Sequence, residues 1–180
     1  MLFRSELFFP SAGTRDAPHL AAELFNIVAG VKLVHVPYKG AAIGINDLVA
    51  GRLALMFGTS PTTLPHVRAG RLRAIAVTGR ARSAVMPELP TVAESGLPGY
   101  EAGSWYGLLA PAQVPKAVIA KLSAETGVAL TSAEVREKLK AQGVDPVGNT
   151  PEQFAVYIRQ EIVKWAKVMQ AANVNADAAH

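Results

Sequence analysis

A chain of 180 residues, 50% hydrophobic and 18% charged with a mean hydropathy of +0.21, holds enough apolar material for one or two cores, which excludes intrinsic disorder. Its length suits one large domain, or one domain and part of another. Lys and Arg exceed Asp and Glu by 18 to 14, yet the one basic cluster, Arg68, Arg71, Arg73, Arg80 and Arg82, lacks interleaved aromatics on which bases would stack, so no nucleic-acid partner is expected. Cysteine is absent, removing disulfides, zinc thiolates and cysteine nucleophiles, and no apolar run reaches the roughly 18 residues of a membrane-spanning helix.

The opening MLFRSELFF has neither the apolar core nor the cleavage site of a secretory signal, and MLFRS matches the translation of a common sequencing adapter. Residues 1–9 are therefore expected to be a non-native or irregular leader. From Ala17 to Ala29, Leu20, Leu24, Ile27 and Val28 recur at helical spacing, with Pro18 tolerated in the first turn and Gly30 as the stop. Val31 to Val36 predicts a strand ending at Pro37, and Ala41 to Ala50 a second helix closed by Gly51. Leu53–Phe57 and Leu72–Val77 are further apolar runs on either side of a short Pro-containing helix or turn over Thr59–Ala69. Such alternation implies βαβ units and a mostly parallel sheet covered on both faces.

Arg80 to Gly103, rich in Pro and Gly, predicts an irregular crossing segment with at most one helical turn at Thr91–Ser95. Ser104–Ala110 is one more candidate strand. Trp105 and Tyr106 end the Pro- and Gly-rich segment and begin the helical part. Beyond Pro115 the pattern is helical: Val118, Ile119, Leu122, Ala129 and Leu130 form one stripe, Val135 and Leu139 another. Thr131 and Glu134 have capping-box spacing, and Thr150-Pro151-Glu152-Gln153 combines an N-cap, a first-turn proline and a box residue. The last helix carries Phe154, Tyr157, Ile158, Ile162, Trp165 and Met169, large side chains that need a partner surface.

Signatures of known catalysis are missing: no G-x-S-x-G elbow, H-E-x-x-H pair, Walker A loop or G-x-G-x-x-G fingerprint occurs. His19, His35, His66 and His180 fall on different elements without carboxylates at ligand spacing, so no metal and no cofactor are expected. Ser11 and Ser60 show no base beside them, which disfavours a hydrolase, and Arg15 with Asp16 suggests a local surface pair. What recurs is a small, Gly-containing loop before a helix: Ser11-Ala12-Gly13-Thr14, Lys39-Gly40-Ala41-Ala42 and Phe57-Gly58-Thr59-Ser60. At the carboxyl edge of a parallel sheet such loops present unpaired N–H groups and positive helix ends to an anion. They equally suit ordinary strand-to-helix turns, and Lys39 equally suits a solvated charge.

The segments VPYKGA, MFGTSPTTLPHVRAG, LRAIAVTG, LPTVAESGLPGYE and SWYGLLAP, within about Pro10 to Val174, resemble the substrate-binding receptor proteins of tripartite tricarboxylate transporters, the Bug family of periplasmic solute-binding proteins. The resemblance implies a periplasmic-binding-protein-like (type II-like) α/β clamp that is not an enzyme. It would hold a small mono-, di- or tricarboxylate between two lobes and deliver it to the membrane permease subunits. Residues 10–103 would form lobe 2, residues 104–174 a mainly helical return segment into an incomplete lobe 1, and residues 175–180 a tail. Because a secretory signal and most of the first lobe precede this segment in that family, the chain is expected to be a C-terminal fragment.

Ligand-binding residues implied by the resemblance are Ser11, Gly13 and Thr14 in the first loop, Tyr38, Lys39, Gly40, Ala41 and Ala42 in the second, and Phe57, Gly58 and Thr59 in the third. Two departures stand out. Arg15 and Asp16 occupy the Gly-Thr positions of a family loop resembling SAGNGTPPHL, and Gly58 follows MF where amino-acid-binding relatives carry an acidic residue, which suits a ligand without an ammonium group. The rival reading is a small α/β enzyme such as a hydrolase.

Overall fold

Two parallel strands and the helix between them carry the first core. In the computed structural model, which describes residues 6–174, β1 (Leu7–Ser11) pairs with β2 (Leu33–Pro37) in the register Leu7 to Leu33 through Ser11 to Pro37. The crossover that a parallel pair requires is made by α1 (Ala17–Ala29), giving a βαβ unit. Asp16 caps α1, Pro18 sits in its first turn, and Gly30 ends it in the left-handed region at φ 64°. Asn26, in the last turn, then grips the start of β2: its Oδ1 accepts from the Leu33 amide at 2.8 Å and its Nδ2 donates to the Leu33 carbonyl at 3.3 Å.

Phe9, fully buried, packs with Ala22 and Leu33 and with the partly buried Phe25, Leu55 and Phe57. The expectation of an irregular leader through residue 9 is therefore corrected for Leu7–Phe9, which form most of a core strand because Phe9 fills the space beneath α1. Residues 1–5 and the tail 175–180 lie outside the described residues. A second cluster joins Ala21, Tyr100 and Ala102 to Phe25, Leu97 and Trp165, and the buried Tyr100 hydroxyl donates to the Ala21 carbonyl at 3.0 Å.

After β2 come α2 (Ala41–Val49) and α3 (Ser60–Arg68), close to the expected bounds. The expected larger sheet is not formed: among the described residues the sheet has two strands. Leu53–Phe57 sends Leu55 and Phe57 into the core, but the Ala54 amide to the Phe8 carbonyl is its one backbone bond toward β1. Leu72–Val77 contributes a single bridge, Val77 to Thr91, and Ser104–Ala110 has no backbone ladder. Apolar runs specify burial, whereas a strand also needs a neighbour in hydrogen-bonding register.

The second half is helical: α4 (Lys116–Thr131), α5 (Ala133–Ala141) and α6 (Pro151–Ala171). The cap of α5 is Ser132, whose hydroxyl accepts from the Val135 amide, and Thr131 instead donates to the Val128 carbonyl within α4. The capping box of α6 is complete, Thr150 and Gln153 each accepting the other's amide. Helix α6 packs on α1. Its inward line differs from the expected stripe, since Ile162 is 63% exposed while Glu161 and Val168 are buried. That carboxylate is satisfied by the Trp165 indole N–H at 2.9 Å and by Lys164, as a buried charge requires.

Candidate functional site

The loops that follow β1 and β2 emerge at one edge of the sheet and are knitted together by their backbones. The Tyr38 amide donates to the Ser11 carbonyl at 3.1 Å, and the Gly40 amide to the Ala12 carbonyl at 3.2 Å. These bonds set the loop of Ser11, Gly13 and Thr14 against the loop of Tyr38, Lys39, Gly40, Ala41 and Ala42 at Tyr38 and Gly40. The second loop opens directly into α2 with Gly40 at φ 114°, and no side chain caps that helix. Its first amides, Ala41 and Ala42, and the Lys39 amide have no partner among the described residues, so the positive end of α2 is open to an anion.

The first loop is different, because the protein's own carboxylate occupies the start of α1. Asp16 Oδ1 accepts from the His19 amide at 2.8 Å and Oδ2 from the Ala12 amide at 2.7 Å. This corrects the expected Arg15–Asp16 pair: a carboxylate at an N-cap accepts amides from the helix it begins. Arg15 sits at φ 69° and its amide donates to His19 Nδ1 at 2.9 Å. The Gly13 amide is engaged by Ser11 Oγ at 3.2 Å. Ser11 and Gly13 thus build the loop, leaving the Thr14 amide as its donor without a partner among the described residues.

Tyr38 turns toward α2, donating its hydroxyl to Asp47 Oδ2 at 2.7 Å, while Arg52 Nη1 reaches Asp47 Oδ1 at 2.6 Å. The Tyr38 bond first, and Arg52 second, hold the Asp47 carboxyl below the usual carboxylate range, and the same bond raises the Tyr38 phenol. Tyr38 is therefore a brace for α2. The third loop faces another space. Phe57 packs edge-on against Phe9 at 6.3 Å, and Phe57, Gly58 and Thr59 border an open cleft of about 2240 Å³ that residues 11–14 and 38–42 do not line. That volume is well above the roughly 300–1,000 Å³ of a small-molecule pocket, so it is a groove along the molecule. Trp105, packed edge-on against Phe154 and Tyr157 of α6, borders the same groove.

Beneath the first loop lies a polar cluster that sequence spacing did not reveal. His19 of α1 and His35 of β2 stack at 3.8 Å between ring centroids, 13° from parallel. His35 Nε2 is 2.6 Å from Ser11 Oγ, so Ser11 does have an imidazole beside it. The Ser11 hydroxyl, however, donates to the Gly13 carbonyl at 2.8 Å. Burial, and then the adjacent His19, push His35 down to about 4. His19 Nε2 faces Glu23 at 3.5 Å, and the His19 hydrogen bond holds the Glu23 carboxyl below its ordinary value. No group of three His, Asp or Glu among the described residues is arranged to hold a metal.

Residues 4–174 match the family described as tripartite tricarboxylate transporter family receptor. The UPF0065 protein in the tcbD-tcbE intergenic region of Pseudomonas sp. (strain P51) is 38% identical over 173 residues, covering 96% of this chain and 52% of that relative. The chain thus spans about half that relative's length. Among solved structures, R. palustris Rpa4515 with adipate superposes with a TM-score of 0.84 at 35% identity, over 94% of this chain and 57% of that one. The periplasmic binding protein BugD gives 0.80 at 32%, over 96% and 58%. MatC (Rpa3494) from Rhodopseudomonas palustris with bound malate gives 0.73 at 32%, over 90% and 56%. The fold is that of periplasmic binding proteins, and the chain belongs to the tripartite tricarboxylate transporter receptor family.

Proposed function

We propose that the chain provides the carboxylate-holding loops of a periplasmic solute receptor that delivers a small dicarboxylate to the permease subunits of a tripartite tricarboxylate transporter. The observation that carries this reading is its likeness, above 30% identity, to two structures that hold the dicarboxylates adipate and malate. In this reading the ligand carboxylate accepts from the amides of Thr14, Lys39, Ala41 and Ala42, short charge-assisted bonds reinforced by the α2 dipole. Ser11, Gly13, Tyr38 and Gly40 hold those donors in place. Gly58 and Thr59 border the separate groove that Trp105 also lines and stand apart from this set of donors. Glycine at position 58 leaves no anion to attract an ammonium group, favouring simple dicarboxylates over amino acids.

Residues 10–103 act as one lobe of the clamp and residues 104–174 lead back toward the other, with α6 braced on α1. Release of the ligand needs only opening of the clamp, since hydrogen bonds to backbone amides form and break without proton transfer. The hydrolase alternative has little to stand on: Ser11 is 1% exposed, out of reach of an ester carbonyl, and its proton is directed at Gly13.

Amide chemical shifts of the full chain titrated with adipate, with malate and with 1,6-hexanediol test the reading. Saturable shifts at Thr14, Lys39, Ala41 and Ala42 are expected with the diacids and not with the diol. Absence of response to either diacid at tens of millimolar, or an equal response to the diol, overturns it.

A further inference from the structure

We infer that His35 is a positioning residue for the β1–α1 loop, acting through the Ser11 hydroxyl, and that the stacked His19–His35 pair makes that loop acid-labile. The inference rests on the receptor reading for its functional consequence, though not for its geometry. Ser11 is almost completely buried and is the junction of the loop: its Oγ donates to the Gly13 carbonyl, accepts from the Gly13 amide and meets His35 Nε2 at 2.6 Å. A hydroxyl has one proton. With it on the Gly13 carbonyl, His35 Nε2 must supply the proton of its own contact, which fixes the neutral Nε2–H tautomer.

The imidazole is in turn clamped between rings. Phe9 stacks on it at 5.2 Å and His19 at 3.8 Å. His19 is fixed at both nitrogens, accepting from the Arg15 amide at Nδ1 and facing Glu23 at Nε2. The chain Glu23, His19, His35, Ser11, Gly13 thus runs from α1 through β2 into the loop whose Thr14 amide is offered to ligand. The charged and titratable groups facing His35 are Glu23 and His19 of α1, and Glu23 is already directed at His19. A second proton on His35 therefore places a buried cation against another imidazole, with no carboxylate of its own. The depression of its pKa to about 4, from burial first, has the same sign. The neutral form is favoured in the folded state, so stability present above an unfolded value near 6.5 declines as pH falls from there toward 4.

Hydrogen exchange of the Asp16 and Gly40 amides, which bond the loop carbonyls of Gly13 and Ala12, reads the latch in the full chain without ligand. Ser11→Ala, which removes one oxygen, is expected to speed both by roughly fivefold at neutral pH, the change one net hydrogen bond confers. His35→Gln, keeping a side-chain N–H donor, should preserve protection but abolish its acid dependence, whereas His35→Leu, keeping the bulk alone, should lose protection. Unchanged exchange in Ser11→Ala, or identical acid profiles in wild type and His35→Gln, overturns the inference. Because Ser11→Ala creates no new bulk, a His35→Leu chain that fails to fold leaves the first arm decisive. Adipate then separates the two readings: latch behaviour without any adipate response sinks the receptor reading alone.

Discussion

Gly44 lies where α2 comes down on β1, and a Cβ built there stands 2.7 Å from Pro10 Cβ and 3.4 Å from Tyr38 Cδ2. Neither neighbour can yield easily: Pro10 is a ring within β1, and Tyr38 is held by Asp47. Gly44→Ala is therefore expected to destabilise the chain by about 1–3 kcal/mol, as overpacking does, and to disturb the α2 N-terminus that presents Ala41 and Ala42. A thermal melt checks the first effect, and an unchanged midpoint would show that the close approach is not maintained in solution. Asp16 shows how much of the site was legible at this scale. Asp-Ala-Pro is a recognisable helix start, yet adjacency to Arg15 suggested a surface pair. That the same carboxylate also takes the Ala12 amide depends on the fold of the loop, which spacing does not encode. The Ser11–His35 contact was hidden for a similar reason, since parallel pairing alone brings positions 24 apart in sequence together.

At the level of elements, local punctuation was the most legible part of the sequence. Pro18, Gly30 and the Thr150-Pro151-Gln153 group mark helix ends through backbone chemistry that acts within a few residues. The box on α6 accordingly makes a quantitative prediction: Thr150→Ala should cost about 0.5–2 kcal/mol, and Gln153→Ala added to it should cost less than it does alone, because the two residues satisfy one another's amides. Additive losses in a double-mutant cycle would show that the caps act independently. Where periodicity had to choose between neighbours it slipped, taking Thr131 for Ser132 and Ile162 for Glu161. Advance along a helix is 100° per residue, so Phe154, Ile158, Glu161, Trp165 and Val168 share a line that Ile162 leaves, whatever its hydrophobicity. The runs Leu53–Phe57 and Leu72–Val77 show the complementary limit: burial was legible in them, pairing was not.

For the molecule as a whole, the decisive feature is the open groove. Ile75, Tyr106, Leu108, Leu109, Val128 and Val147 line it and are each about two-thirds or more exposed, while the backbone of 104–110 makes no backbone hydrogen bond among the described residues. A soluble monomer seldom exposes an apolar patch beyond a few hundred Å², and unpaired backbone invites further pairing. Each large apolar side chain left in water forgoes about 1.5–3 kcal/mol of burial, and several together rival a domain's net stability of about 5–15 kcal/mol. Expressed alone, the chain is therefore expected to self-associate as concentration rises and to bind a hydrophobic dye. Leu108→Lys with Leu109→Glu should reduce both, because charges on an exposed edge oppose pairing while touching none of the core around Phe9 and Tyr100. Its hold on adipate should also be weak, since a single set of loops at the sheet edge leaves most of a dicarboxylate in water. Sedimentation across a concentration series, with calorimetry on adipate, checks both expectations. A monomer at every concentration, with no dye binding and micromolar adipate affinity, would mean that the groove closes on itself and the chain acts as a receptor unaided.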